Sequence, residues 1–245
     1  MRLLRPASVH LTRQLRRTGI WKAAKTAVAL LGGSSRVDPP AASSLEWDRV
    51  FGVETAQLVP LATLSISSRN WIYGTHYEPI NSTSFQNALD ELKIEHRNFL
   101  FIDLGSGKGK AMLLAASYPF KEVIGVEFSA ELKRIAEQNI PKYRGAKNCA
   151  IRSVFADAAA YEFPLERAVV YLYNPFEAKV LRRVMENLRR SLRAYPRETY
   201  VFYYSPSERL MDFPEERAVF DNADCLAAII QNESYSFYRA IPLEK

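Results

Sequence analysis

The sequence predicts a doubly wound α/β fold with a mostly parallel sheet. Short, nearly continuous apolar runs alternate with longer segments in which apolar residues recur at helical spacing. Such runs are typical of strands buried on both faces, and their alternation with helices indicates parallel β-α-β units. The chain has 245 residues, of which 48% are hydrophobic, so it can bury the core of one large domain with extensions.

Each element of this sheet is predicted from its own segment. Helices are expected between the strands, where Ser129 is the expected N-cap and Pro141 the expected end of one helix. Another helix is expected before the first strand, and two edge strands near the C-terminus complete a sheet of seven. The predicted strands are 99–104, 121–128, 150–157, 168–175, 199–205, 218–223 and 234–241. The predicted helices are 84–94, 110–118, 131–140 and 177–195.

The N-terminal part differs in composition from the rest of the chain. Residues 32–44 are rich in Gly, Pro and Ser, which is typical of a linker. We therefore divide the chain into a basic arm with its linker (1–44), a cap or lid segment (45–97) and the ligand-binding α/β domain (98–245).

Positive charge is concentrated in the arm. The whole chain carries a formal net charge of +6, but residues 1–37 contain eight basic and no acidic residues. The remainder has 25 basic against 27 acidic residues and is nearly neutral. A basic helix with an apolar side around Trp21 would suit a membrane surface, nucleic acid, organelle targeting or packing on the domain, and the sequence leaves these interpretations open.

Cysteine content and hydropathy bear on the compartment. Cys149 and Cys225 are the two cysteines, too few for a disulfide framework or a four-ligand zinc site. A reducing compartment is the natural interpretation, so we expect the cytoplasm unless residues 1–37 direct the chain to an organelle. No window of 18 consecutive apolar residues occurs, and no membrane-spanning helix is expected.

The strongest functional signal is the turn DLGSGKG at residues 103–109, between the first predicted strand and its helix. Glycines let the main chain turn tightly and let a ligand approach it, and the next helix presents free N–H groups. A P-loop is excluded because one residue, instead of four, separates the first glycine from Gly107-Lys108. A dinucleotide fingerprint needs a third glycine where Lys110 stands.

Three acidic residues at successive strand ends indicate which nucleoside the turn would bind. Asp103 would repel a pyrophosphate but attract a cation, and S-adenosylmethionine carries a sulfonium and an ammonium at that end. Glu127 can accept hydrogen bonds from two ribose hydroxyls, and Asp157 from the exocyclic amine of adenine. Each acid alone would equally suit a helix cap or a solvated loop, so the prediction depends on the three together.

Four segments resemble known motifs. IDLGSGKGKAMLLAA, IGVEFS, FADAAAYEFP and LYNPF look like the successive motifs of class I S-adenosylmethionine-dependent methyltransferases, and the resemblance covers roughly residues 70–205. It implies a Rossmann-like methyltransferase fold, with a seven-stranded sheet behind an N-terminal helical or irregular extension. It also implies that Glu127 binds the ribose and that Phe128 lies against the adenine ring, next to Asp157 and Ala158. The implied contacts of the methionine part are Asp103, Gly105 and Gly107, and the predicted cofactor-binding residues also include Leu104, Ser106 and Asn174.

Within that superfamily, DLGSGKG, GVE and Asn-Pro-Phe are similar to the non-SET histone lysine methyltransferases and to uncharacterised bacterial relatives of like length. Those histone methyltransferases have Asn-Asn-Phe where this chain has Asn174-Pro175-Phe176. A similar loop, Asn/Asp-Pro-Pro followed by an aromatic residue, occurs in methyltransferases that act on amino groups of bases or of glutamine.

The predicted catalytic residues are Asn174, Pro175, Phe176 and Tyr77. An Asn174 carbonyl could orient an amine and also border the cofactor, and Pro175 has no N–H that competes with its inward carbonyl. Phe176 could pack against a methyl-bearing cation. The alternative is an ordinary turn with a buried Phe. Tyr77 and Glu78 belong to the segment that often closes over the cofactor in this superfamily, and the alternative there is a surface loop.

We therefore predict an S-adenosylmethionine-dependent methyltransferase that acts on a nitrogen acceptor, such as a protein lysine or another amine. No metal and no general base are expected, because the methyl donor is intrinsically reactive and positioning provides most of the acceleration. Two alternatives remain. One is a non-catalytic nucleotide-binding module whose arm binds membrane or nucleic acid. The other is a nicotinamide-dependent oxidoreductase, against which Asp103 and the short glycine spacing argue.

Overall fold

A computed structural model describes residues 42–59, 64, 77–173, 175–204 and 214–241. Within these ranges a seven-stranded sheet has the order β3-β2-β1-β4-β5-β7-β6. Strands β1 to β5 are parallel, whereas β7 is antiparallel to both β5 and β6. The strands are β1 (Leu100–Leu104), β2 (Glu122–Glu127), β3 (Ala150–Phe155), β4 (Ala168–Tyr173), β5 (Thr199–Tyr204), β6 (Leu226–Gln231) and β7 (Tyr235–Ala240). The predicted doubly wound, mostly parallel sheet is confirmed.

Six α-helices lie among the described residues. They are α1 (Ala42–Phe51), α2 (Ser82–Glu91), α3 (Lys110–Ala115), α4 (Ala130–Lys142), α5 (Ala178–Ala194) and α6 (Pro214–Asp221). The Ser129 side chain caps α4 by accepting from the Leu132 N–H, as the sequence predicts. Pro141 does not end that helix, which continues to Lys142. A proline in the last turn costs one main-chain bond but leaves the preceding turns intact.

The helices cover both faces of the sheet because alternate side chains of each strand point to opposite faces. Ile102 and Leu104 of β1 belong to a core layer with Leu188 of α5 and Phe220 of α6. Phe101, also of β1, belongs to the other layer with Phe85 of α2 and with Met112 and Leu114 of α3. The five residues of β1 are all buried, which explains why the strand is an unbroken apolar run apart from Asp103.

One predicted edge strand is wrong. Residues 218–223, expected to be extended, lie largely within helix α6 and the turn after it. The helix begins at Pro214 with Glu215 and Glu216 in its first turn, and it buries Phe220 fully against the core layer of α5. Adjacent apolar residues in a short segment do not distinguish a strand from a helix. The sixth strand is Leu226–Gln231 instead, whereas the prediction at 234–241 is confirmed by β7.

The order of the strands creates a crevice between β1 and β4. From β1 the chain proceeds outward through β2 and β3, and then returns to the other side of β1 with β4. Ligands of open α/β sheets bind outside the carboxyl ends of the strands at such a switch point. Asp103 lies next to this crevice, in register with Gly125 of β2 and Tyr171 of β4.

Several predictions concern residues that the structure does not describe. The basic arm helix and most of the linker lie outside the described residues, and so do residues 73–76 and Asn174. Helix α1 begins at Ala42, within the last residues of the predicted linker. In the described part of the chain, no helix combines the length and apolarity needed to cross a bilayer.

Candidate functional site

The turn after β1 brings three parts of the chain into close contact. Gly105 and Gly107 have φ of +84° and +54°, in the left-handed region that favours glycine. A Cβ on Gly107 would overlap the ring of Tyr77, and one on Gly105 would approach Cβ of Pro175 to 2.7 Å. The glycines are therefore needed both for the turn and for the approach of the two loops that flank it.

An open cleft lies over this turn, with about 710 Å³ of empty space counted out to solvent. A smaller hollow of about 280 Å³ adjoins it and shares Gly105, Phe128 and Phe176 with it. The predicted residues that line the main cleft are Tyr77, Asp103, Gly105, Ser106, Gly107, Glu127, Phe128, Pro175 and Phe176. The smaller hollow adds Asp157 and Ala158.

Asp103 is buried and poorly satisfied. It is 3% exposed, and within the described residues no hydrogen bond reaches its carboxylate. Burial raises the pKa of Asp103 well above its usual range, and the nearby Glu127 raises it further. A buried carboxylate without a partner is unfavourable, so a cationic ligand in the cleft would stabilise it.

Glu127 ties the end of β2 to the glycine turn. Its Oε2 accepts from the Gly107 N–H and its Oε1 from the Ser129 N–H, each at 2.8 Å. Burial raises the pKa of Glu127 to about 7, although these main-chain bonds lower it. Each carboxylate oxygen has a further lone pair, so Glu127 can still accept from a ligand in the cleft.

Asp157 has a local structural role in addition to its place in the smaller hollow. Its Oδ1 accepts from the Ala159 N–H at 2.9 Å and caps the short 3₁₀ helix Ala158–Ala160. The cap holds Ala158 at the wall of the hollow, where it is 4% exposed. Asp157 therefore caps a helix and lines the smaller hollow at the same time, so the two interpretations of this acid are compatible.

Tyr77 contributes its ring to the cleft. Its hydroxyl donates to the carbonyl of Thr55 at 2.8 Å, and its main chain pairs with Val59 in an isolated antiparallel bridge. Burial raises the pKa of Tyr77 well above its usual range, so the phenol stays protonated. The hydroxyl is engaged with the N-terminal segment, whereas Glu78, Pro79 and Ile80 continue the wall.

Three further predicted cofactor-binding residues differ in whether the structure places their side chains at the cleft. Leu104 is fully buried in the core layer of α5, so its side chain does not line the cleft. Ser106 is 5% exposed and lines the cleft, and its Oγ has no hydrogen-bond partner among the described residues. Asn174 lies outside the described residues, between β4 and the described Pro175.

The sequence did not reveal the role of Lys108. Its side chain is 1% exposed and forms an ion pair with Glu54, with 2.9 Å between Nζ and Oε1. The Asn139 amide of α4 donates to the carbonyls of both Glu54 and Lys108, at 3.0 Å each, and accepts from the Glu54 N–H. A lysine between two glycines suggests a ligand-facing charge, but here it fastens the turn to the N-terminal segment.

Tyr171 and Lys110 also line the cleft without having been predicted. Tyr171 is 1% exposed. Its neighbours on β4 are apolar, so the sequence did not distinguish it from an ordinary core residue. Lys110 is 3% exposed, with Nζ 4.8 Å from the ring centre of Trp47. Burial lowers the pKa of Lys110 to about 8. Burial of a lysine at the start of a helix cannot be read from sequence alone.

The donor and acceptor groups of the cleft fit S-adenosylmethionine. Asp103 provides a buried negative charge for a cation, Ser106 an unpartnered hydroxyl, and Glu127 two oriented acceptor oxygens. Phe128 and Phe176 provide apolar walls along both hollows. Among the described residues, no group of three His, Cys, Asp or Glu side chains could hold a metal ion.

One protein family matches part of the sequence. The model of the family described as "Histone methylation protein DOT1" matches residues 67–164, about two fifths of the chain. The matched segment includes the glycine turn, Glu127 and Asp157. It confirms the predicted resemblance to class I methyltransferases and to the non-SET lysine methyltransferases. It also confirms the prediction of a methyltransferase whose cofactor is S-adenosylmethionine.

Among curated protein sequences, none matches this chain significantly. An RNA methyltransferase of Salinibacter ruber in complex with S-adenosyl-L-homocysteine is 20% identical, with a TM-score of 0.44, over 68% of this chain and 95% of its own. The magnesium protoporphyrin IX methyltransferase of Synechocystis with bound S-adenosylmethionine is 14% identical, with a TM-score of 0.41, over 65% of this chain and 78% of its own. At this level the similarity is one of general fold, and no conclusion about the reaction rests on it.

Proposed function

We propose that this protein transfers a methyl group from S-adenosylmethionine to a nitrogen atom of an amine, such as a protein lysine side chain. The observation that carries the proposal is the Asp103 carboxylate, which is buried under the glycine turn without a hydrogen bond from the described residues. A cation is the ligand charge that such a site favours, whereas a pyrophosphate there would be repelled.

The proposed cofactor contacts follow the length of the cleft. Asp103 and the main chain from Leu104 to Gly107 would hold the methionine part, and Glu127 the ribose hydroxyls. Phe128 would lie against the adenine, whose edge would face Asp157 and Ala158 in the smaller hollow. In this arrangement the charged methionine part and the ribose lie beside the acids of the main cleft, and the adenine lies against the more apolar smaller hollow.

When bound, S-adenosylmethionine supplies an activated methyl group that a neutral amine can attack directly. The chain provides the position and the surroundings of that reaction. The rings of Tyr77, Tyr173 and Phe176 line the main cleft and would exclude water from the methyl group when the cofactor is bound. Electron-rich rings also attract methyl-bearing cations, which favours binding of an amine acceptor. Holding the reactants in line is itself a large part of catalysis.

We assign the orientation of the acceptor to Asn174, through its amide oxygen, and to the main chain of Pro175. Pro175 packs against Gly105, so the loop after β4 reaches the glycine turn and brings acceptor and cofactor together. The proton of the entering amine passes to water in this proposal. When the amine of the acceptor enters the apolar mouth of the cleft, its neutral form is favoured over the ammonium, because burial disfavours the charged form.

A transfer assay with isotope-labelled S-adenosylmethionine tests the reaction. The acceptors are a lysine-rich protein, bulk RNA, DNA and small amines. The proposal expects label in protein that survives acid and base and appears as methylated lysine in the hydrolysate. Label in nucleic acid, or base-labile label in protein, would contradict the amine acceptor. Cofactor binding without any transfer would favour the non-catalytic module.

Two matched variants refine this assay. Asn174→Ala should lower the turnover more than the cofactor affinity, because the amide is assigned to the acceptor. Asn222→Ala is the control, since this exposed amide directly after α6 is not part of the cleft lining and donates to the Ala218 carbonyl. Equal losses of turnover in both variants would remove Asn174 from the mechanism.

We also propose that the protein works in the cytoplasm. Cys149 and Cys225 are free thiols, in keeping with a reducing compartment. A fluorescent reporter fused to residues 1–37 should remain diffuse in the cytoplasm, and its import into an organelle would show that the arm is a targeting segment instead. Binding of the same arm to anionic vesicles or to DNA would identify its partner among those that its charge suits.

A further inference from the structure

The sheet places Tyr171 beside Asp103 at the switch point. The two residues are register partners on the adjacent parallel strands β1 and β4, and both line the main cleft. Asp103 is one residue and Tyr171 two residues inside the ends of their strands. They therefore lie at the floor of the crevice, below the loop of Pro175 and Phe176 that follows β4.

Tyr171 is held rigidly by other rings. Its ring centre lies 5.3 Å from that of Phe85, 4.9 Å from that of Phe202 and 5.7 Å from that of Phe101. These contacts fix where the hydroxyl points, because the ring has no space to reorient. The residue is 1% exposed.

The hydroxyl of Tyr171 has no hydrogen-bond partner among the described residues. A buried hydroxyl without a partner is unfavourable, and such groups in a folded protein need an explanation. Burial raises the pKa of Tyr171 well above its usual range, and the charge of Asp103 raises it further, so the phenol is neutral and within electrostatic reach of that carboxylate. A neutral phenol oxygen can accept hydrogen bonds from a cation.

We propose that the phenol oxygen of Tyr171 and the carboxylate of Asp103 together bind the ammonium of the cofactor's methionine part. This inference rests on the proposed function. An ammonium has three N–H donors that all need acceptors when it leaves water, and one carboxylate beside apolar rings does not satisfy them all. Tyr171 provides the missing acceptor, and its pairing with Asp103 selects nucleosides that carry an amino-acid end.

Calorimetric titration of Tyr171→Phe with two ligands tests this pairing. S-adenosylhomocysteine has the amino-acid end, whereas 5′-methylthioadenosine has the adenosine and the sulfur without it. Loss of one hydrogen bond to a charged group should weaken S-adenosylhomocysteine binding about tenfold. Binding of 5′-methylthioadenosine should change less than about twofold, because its groups do not reach the floor of the crevice.

Thermal unfolding separates this role from a structural one. Because the lost hydroxyl has no partner, Tyr171→Phe without ligand should unfold at the same or a higher temperature than the parent protein. Its stabilisation by S-adenosylhomocysteine should be smaller. Tyr238→Phe is the matched control, since that equally buried hydroxyl donates to Asp221 at 2.9 Å outside the cleft. The control should unfold at a lower temperature yet keep the parent affinity for S-adenosylhomocysteine.

Two results would overturn the inference. In the first, Tyr171→Phe weakens both ligands equally. In the second, it weakens neither, while Asp103→Asn still weakens S-adenosylhomocysteine relative to 5′-methylthioadenosine. That second result would leave the proposed function intact and remove Tyr171 alone. Failure of the parent protein to bind either ligand would instead overturn the proposed function together with this inference.

Discussion

Two buried carboxylates determine the chemistry of the cleft. Asp103 and Glu127 are each 3% exposed, and burial raises the pKa of both. Glu127 is held by two main-chain N–H groups, whereas Asp103 receives no hydrogen bond from the described residues. The two acids therefore differ in what they still require: Asp103 requires a cation, and Glu127 can accept hydroxyl donors while its own position is fixed.

The raised pKa of Glu127 predicts how cofactor binding depends on pH. Its folded pKa of about 7 lies above the ordinary value of 4.5, so the empty protein holds a proton between these pH values. The protonated Glu127 therefore contributes to the free energy of unfolding. This contribution is fully present below about pH 4.5 and is lost as the pH rises through about 7. Ribose hydroxyls and the ammonium favour the deprotonated acids. Affinity for S-adenosylhomocysteine should therefore rise about tenfold between pH 5.5 and 7.5, with protons released on binding.

Calorimetry in buffers of different ionisation enthalpy measures those protons. Glu127→Gln cannot titrate, so the proton release and the rise in affinity should both be smaller in this variant. An affinity that falls over the same pH interval in the parent protein would contradict the assignment of the two acids to a cationic nucleoside.

At the residue scale, the sequence predicted where a side chain lies when its position near the end of a strand determines its place in the sheet. Glu127 is the last residue of β2 and Asp103 the last but one of β1, so both lie at the same edge of the sheet. It did not find Tyr171, because a tyrosine within an apolar run has the same pattern whether or not its hydroxyl has a partner. The partner of Lys108 was equally hidden, since Glu54 lies 54 residues away along the chain.

The N-terminal segment of the described chain, residues 42–59, forms a strap over the glycine turn. Within it, the Asp48 carboxylate accepts from Thr55 N–H, Thr55 Oγ1 and Ala56 N–H, each at 2.6 Å. Trp47 and Phe51 of α1 pack against Tyr143, the residue that follows α4. This internal closure presents Glu54 to the buried ammonium of Lys108.

The ion pair between the strap and the turn predicts that losing Glu54 alone destabilises the protein more than losing both Glu54 and the charge of Lys108. Glu54→Ala leaves the ammonium of Lys108 buried and unpaired, so the free energy of unfolding should fall by about 1–3 kcal/mol. Lys108→Met in that background removes the unpaired charge and keeps most of the volume, so it should restore most of the loss. Urea unfolding of the single and double variants measures this difference.

A surface pair provides the control for that comparison. Lys121 and Glu166 also lie 2.9 Å apart, but the Lys121 side chain is 46% exposed, whereas that of Lys108 is 2% exposed. Glu166→Ala should therefore cost no more than about 0.5 kcal/mol. Equal effects of Glu54→Ala and Glu166→Ala would show that the strap is not held by a buried charge.

At the scale of elements, β1, β2, β4 and β5 were predictable because they are nearly continuous apolar runs buried in the sheet, whereas the edge strand β3 is partly exposed. Strands β1 to β5 all lie within their predicted segments. The C-terminal part was harder, since β6 has an exposed edge and a mixed pattern, whereas α6 contains the adjacent apolar pair Val219 and Phe220. In both cases tertiary packing, rather than local pattern, decides the conformation.

The whole molecule combines a nearly neutral catalytic body with a basic arm. The body carries the cleft, the strap and the sheet, whereas the eight basic residues without acidic partners belong to residues 1–37. Charge of this kind acts through long-range attraction to anionic surfaces rather than through the fold. The arm and the cleft are therefore expected to act independently.

Deletion of residues 1–37 tests that independence. The truncated chain keeps α1 and the whole strap, so its affinity for S-adenosylhomocysteine should stay within about twofold of the parent value. Deletion of residues 1–59 is the matched comparison, and it should weaken binding because it removes Glu54 from Lys108. A clear loss of affinity in the shorter deletion would show that the arm contributes to the cleft.

The central claim is that the glycine turn, with a buried carboxylate beneath it, binds a positively charged nucleoside. Calorimetric titration of the full chain with S-adenosylhomocysteine and, separately, with NAD⁺ tests it most directly. We predict saturable binding of S-adenosylhomocysteine, which Asp103→Asn weakens by about 1–3 kcal/mol, and no measurable binding of NAD⁺. Binding of NAD⁺ in competition with S-adenosylhomocysteine, or tighter NAD⁺ binding after Asp103→Asn with no loss of S-adenosylhomocysteine, would contradict the account.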